Sequence, residues 1–125
     1  MRHLTENTEQ EIIAELLAAR ENREQFLLEM KQRQKEGLDV AKKCANFLKE
    51  KYGVTKVILF GSLLNYEKIT PNSDIDLAVW DLPEKDYFRA VGFLLEIADN
   101  FSIDLVEIQN VRPYILPAID QGVEL

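Results

Sequence analysis

Residues 57–79 constrain this chain most. They read Val-Ile-Leu-Phe-Gly-Ser, eleven intervening residues, and then Asp-Ile-Asp-Leu-Ala-Val. Two short runs rich in branched apolar side chains, separated by Gly61 and by Thr70-Pro71-Asn72-Ser73, predict strands over residues 56–60 and 74–80. Side chains alternate faces along a strand, so Asp74 and Asp76 share one face while Ile75, Leu77 and Val79 share the other. Two carboxylates held side by side repel, and each strengthens the other's hold on a proton unless a cation stands between them. Hard oxygen donors suit Mg²⁺, which typically takes one or two carboxylates together with substrate phosphates. Gly61, at the end of the preceding strand, lets backbone N–H groups approach an anion, and a helical turn beginning there adds a favourable dipole. Ser62 adds a hydroxyl. Strand geometry and charge together point to a metal-bound phosphate site.

The rest of the chain supplies the frame. Residues 9–36 contain no Gly or Pro and are rich in Glu, Ala, Leu, Gln and Arg, which predicts a long helix. Thr8 and Glu11 have the spacing of a capping box, and Gly37 is the expected stop. A second helix is expected over residues 38–52, with Leu38, Ala41, Ala45 and Leu48 on one face and Cys44 as a small apolar side chain among them. A domain this small cannot cover so long a helix, so residues 9–36 offer a surface for a homodimer or a hetero-oligomer. The division expected is a helical extension over residues 1–52 and a compact domain over residues 53–125.

Beyond the first strand, residues 61–66 should form a short helical turn and residues 67–73 a loop. Asp81 and Pro83 suit an N-cap and a first-turn proline for a helix over residues 84–99. A third strand over residues 101–108 carries Asp104 within Ile103-Asp104-Leu105-Val106. A carboxylate buried unpaired there is costly and calls for a cation or for hydrogen-bond donors. A short helix over residues 112–121 and an edge segment at residues 123–125 complete the chain. The expected class is α/β (α+β), a small mixed sheet packed with helices behind a long N-terminal helix.

Charge narrows the chemistry. The net charge is −7, and its distribution is uneven. Residues 1–52 hold ten Lys or Arg against ten Asp or Glu, whereas residues 53–125 hold five against twelve. The half that carries the motif is therefore acidic, which argues against direct binding of a nucleic-acid backbone and suits a metal site or a basic protein partner. His3 is the sole histidine, so histidine-dependent zinc sites and Ser-His-Asp catalysis have no support. No apolar run approaches the ~20 residues of a membrane span, no signal-peptide core follows Met1, and one cysteine permits no internal disulfide. A cytoplasmic protein is expected.

Phe60-Gly61-Ser62 followed by Ser73-Asp74-Ile75-Asp76-Leu77 resembles the signature of the DNA polymerase β-like nucleotidyltransferase superfamily, and the small size is similar to its minimal nucleotidyltransferases. The resemblance covers residues 56–125 and implies a nucleotidyltransferase fold. It also implies an Mg²⁺ triad of Asp74, Asp76 and Asp104 binding two ions, with Gly61, Ser62 and Ser73 at the nucleotide. Members of this kind are commonly antitoxins paired with a HEPN ribonuclease toxin, in the manner of the MntA-like proteins of type VII systems. They transfer AMP from ATP to a tyrosine of the toxin. The sequence departs from the pattern in its loop, which is one residue longer than usual and places Leu63, not a basic residue, after Ser62. Lys68 is the candidate replacement cation. The resemblance leaves two alternatives open: a binding antitoxin that masks its toxin through the N-terminal helix, and a nucleotidyltransferase acting on a small molecule of the aminoglycoside type.

Overall fold

The computed structural model describes residues 6–125. His3 and the N-terminal residues around it lie outside the described residues. A single helix, α1 (Glu6–Tyr52), accounts for 47 residues and is about 70 Å long at 1.5 Å per residue. The expected break at Gly37 does not occur. A Cβ at that position would meet Leu63 Cδ1 at 2.8 Å and Phe101 Cε1 at 3.2 Å, so glycine is there to let the helix axis close on the domain. Its propensity cost of about 1 kcal/mol is offset by that packing. Thr8, expected to cap the helix, lies within its first turn.

The two ends of α1 have different surroundings. Met30, Ala41, Cys44, Ala45 and Leu48 are buried in the main core, whereas residues 9–26 are all exposed. Burial raises the Cys44 thiol to about 11, which leaves it protonated and inert.

Four strands form one mixed sheet: β1 (Lys56–Phe60), β2 (Ile75–Trp80), β3 (Ile103–Glu107) and the short β4 (Val123–Glu124), in spatial order β3-β2-β1-β4. β1 pairs antiparallel with both β2 and β4, while β2 and β3 are parallel. A parallel pair needs a crossover, and α2 (Tyr87–Ala98) provides it. Alternation sorts the strand residues onto two faces. Val57, Leu59, Ile75, Leu77, Val79 and Leu105 pack against α1 and against Ala90, Leu94 and Ala98 of α2. Phe47 of α1 and Phe93 of α2 meet at 5.5 Å between ring centroids.

The opposite face has a thinner cover. Phe60 and Ala78 pack there with Ile119 of α3 (Leu116–Asp120), flanked by Trp80, Val106, Val111 and Ile115. Asp81 does not cap the following helix. Its backbone takes φ 63°, and its carboxylate accepts a hydrogen bond from Thr55 Oγ1, while a 3-10 turn over Glu84–Asp86 leads into α2. Among the described residues no helix is long and apolar enough to cross a membrane.

Candidate active site

Asp76 is the second residue of β2 and stands in register with Asp104 on β3. Residues in register on neighbouring parallel strands present side chains to the same face, so the two carboxylates flank one another. Asp74 immediately precedes β2, two residues from Asp76, and the period of two brings it to that face as well. All three lie on the thinly covered side of the sheet, at the end where β1 turns into Gly61.

Burial, then the fields of Asp104 and Asp74, raise the Asp76 carboxyl from 3.8 to about 6. Asp104 itself is exposed. The sequence-based argument that a buried Asp104 demands a cation is thus corrected: the demand falls on half-buried Asp76, caught between two like charges.

Gly61 joins this acidic row to the anion-binding turn. Its φ of 88° is a conformation that side chains disfavour, and a Cβ there would overlap Asp76 Oδ2. The backbone of the turn and the Asp76 carboxylate therefore touch only because position 61 has no side chain. Ser62 begins a 3-10 turn over Ser62–Leu64, and its hydroxyl donates to Ser73 Oγ at 3.3 Å. Ser73 is buried, and its Oγ also accepts from the Thr70 N–H at 2.8 Å. Its hydroxyl thereby closes the loop and holds Ser62 in place.

Beside the turn lies a cleft of about 370 Å³ lined by Gly61, Ser62, Leu64, Asn65, Lys68, Ala118 and Gln121. Lys68 lines it together with the Gly-Ser turn. A cation lining the same cleft as the Gly-Ser turn makes it suited to phosphate oxygens, whereas the neighbouring acids suit a metal ion. Asn65 and Gln121 carried no signal in the sequence, since Gln121 reaches the cleft only because α3 folds back over β1.

Tyr87, at the start of α2, is a further neighbour. Its hydroxyl donates to the Leu105 carbonyl at 2.8 Å, which ties α2 to β3 next to Asp104. Burial, then the charges of Asp104 and Glu107, push that hydroxyl above the usual tyrosine range. From the other side α1 braces the loop. Arg33 Nη2 donates to the Ser73 carbonyl at 3.4 Å with its guanidinium 4.2 Å from the Phe101 ring centroid, and Gln34 Nε2 donates to the Leu63 carbonyl at 2.9 Å.

Donor chemistry and charge favour a divalent cation: three carboxylates share a face, and the middle one is destabilised by the other two. As oriented, no three His, Cys, Asp or Glu side chains among the described residues close on one point at ligating distance. Coordination would therefore need a rotamer change, which exposed Asp74 and Asp104 are free to make.

Residues 42–125 match the protein family described as polymerase beta, nucleotidyltransferase. Among solved structures, one of a toxin-antitoxin with AMP-PNP superposes with a TM-score of 0.56 at 22% identity, over 67% of this chain and 70% of that one. The MntA-HepT toxin-antitoxin superposes with a TM-score of 0.52 at 21% identity, over 68% of each chain. A mutant of that toxin-antitoxin gives 0.53 at 26% identity, over 67% of this chain and 69% of that one. No curated protein matches the chain.

Proposed function

The chain belongs to the polymerase beta nucleotidyltransferase family, and from that premise we propose that it transfers AMP from ATP to a tyrosine hydroxyl of a HEPN ribonuclease toxin, silencing it as an antitoxin. The observation that carries this reading is the meeting of the two half-sites. Asp76, in register with Asp104, stands against Gly61, and Gly61 and Ser62 line one cleft with Lys68. The toxin as partner is supported by the fold neighbours, which are toxin-antitoxin structures.

In this reading Asp74, Asp76 and Asp104 would hold two Mg²⁺ ions, which would supply charge neutralisation for the substrate phosphates. The Gly61 backbone, the Ser62 hydroxyl and the Lys68 ammonium grip the β- and γ-phosphates. Ser73 keeps the turn in shape for that grip. The tyrosine oxygen forms a bond to the α-phosphorus, the bond from that phosphorus to the β-bridging oxygen breaks, and pyrophosphate leaves. Asp104, exposed on β3, takes the tyrosine proton.

The test is incubation of the purified chain with a HEPN ribonuclease, sought in the neighbouring reading frame, and labelled ATP. Label is expected on the toxin with wild-type protein. Asp76→Asn should lower transfer by at least about 10³-fold, as loss of electrostatic stabilisation at a reacting phosphate does. Neutralisation of the toxin that is unaffected by this change would favour simple masking instead.

A further inference from the structure

The exposed arm of α1 carries an apolar row that the domain does not use. Ile13, Leu16, Leu17 and Leu28 each leave half or more of their surface exposed. The row is interrupted midway by Arg20 and Glu24, which pair with one another at 3.3 Å. These residues fall on one side of the helix at its natural spacing.

We propose that a second copy of this chain covers the arm, as an antiparallel helix pair whose two-fold axis crosses the seam at the level of position 22. Several pairs equally spaced on either side of position 22 are complementary, whereas Ile13 faces the partner's Lys31. Pairing about that point sets Leu16 against the partner's Leu28 and Leu17 against the partner's Leu27. It also sets Arg20 against the partner's Glu24, and Glu9 against the partner's Lys35. Each contact occurs twice by symmetry, as an isologous interface requires. A shift that brings Arg20 opposite itself or opposite Arg23 sets like charges across the seam.

Whole-chain charge selects the same arrangement. Residues 1–52 carry no net charge, so two arms do not repel, whereas residues 53–125 hold the entire acid excess. Antiparallel pairing puts the two acidic bodies at opposite ends of the bundle. Parallel pairing would put them side by side and Arg20 against Arg20. This inference concerns the arm alone and does not depend on the transferase reading.

Sedimentation equilibrium of the full chain across the micromolar range tests it. Wild-type protein is expected to be a dimer. Arg20→Glu and Glu24→Arg should each weaken self-association by about 10-fold or more, since two attractive contacts become repulsive. Mixing these two variants should restore wild-type affinity, because each reversed charge then faces its complement. Loss of the pair within one helix cannot be repaired by mixing, so the mixture separates the interface from a helix-stability effect. A monomer throughout the range, an assembly larger than a dimer, or a mixture no tighter than either variant alone would overturn the proposal. So would an arm that binds the toxin while the chain stays monomeric.

Discussion

Asp76 sits where two requirements conflict. Its strand needs it against the Gly61 backbone, and its neighbours at positions 74 and 104 oppose its charge. A carboxyl held protonated up to about pH 6 when folded, but only to about pH 4 when unfolded, favours the folded state as pH falls. Its cost to stability is present in full above the folded value and disappears below the unfolded one. In chelator, the chain should therefore gain stability between about pH 7 and pH 4 on this residue's account. Asp76→Asn should flatten that rise and stabilise the metal-free protein at neutral pH by about 1 kcal/mol, once solvent screening of a half-exposed group is discounted. Denaturant titration across pH measures both effects, and identical pH profiles for variant and wild type would refute the account. Lys68 supplies a second prediction. If it holds phosphate, Lys68→Ala should raise KM for ATP about 10-fold or more with kcat less affected, as loss of a charge-assisted hydrogen bond does. An unchanged KM would remove Lys68 from the site.

Two glycines inside helices separate propensity from packing. Gly92 in α2 has nothing within 4 Å of the place a Cβ would occupy, whereas Gly37 in α1 faces buried Leu63 and Phe101. Gly92→Ala should stabilise the fold by about 0.5–1 kcal/mol, the ordinary gain for alanine in a helix. Gly37→Ala starts from the same gain but must push Leu63 aside, and overpacking costs about 1–3 kcal/mol, so the net effect should be destabilising. Thermal unfolding of the two variants reads the opposite signs directly. Leu63 follows Ser62 in the 3-10 turn, so displacing it also disturbs the phosphate turn. Gly37→Ala should consequently lose transfer activity while Gly92→Ala keeps it.

At the scale of the molecule, the chain divides functionally within a single helix. The main core takes in α1 from Met30 onward, and the arm before it adds no buried residue between positions 9 and 26. Removing residues 1–26 should leave the melting temperature within about 4 °C of wild-type protein dilute enough to be monomeric, a change worth less than roughly 1 kcal/mol in a domain of this size. Removal through residue 34 takes away Met30, Arg33 and Gln34. It should destabilise the protein and loosen the loop over residues 62–73, because Arg33 and Gln34 donate to the Ser73 and Leu63 carbonyls. Calorimetry on the two truncations distinguishes a severable arm from an integral helix.

Local periodicity alone determined the strands, the shared face of Asp74 and Asp76, and the Gly-Ser turn. A period of two is a property of neighbouring residues and needs no knowledge of what packs against them. Gly37 and Asp81 were misread for the same reason. Glycine commonly ends helices and aspartate commonly starts them, but here contact with Leu63 and Phe101, and a hydrogen bond from Thr55, outweigh those local preferences. The register of Asp76 with Asp104, the clash that reserves position 61 for glycine, and the arrival of Lys68 and Gln121 on one cleft all join residues distant in the chain. Only the folded sheet and its crossover bring them together, because register across a parallel pair is set by the packing of the connecting helix and not by either strand's own sequence.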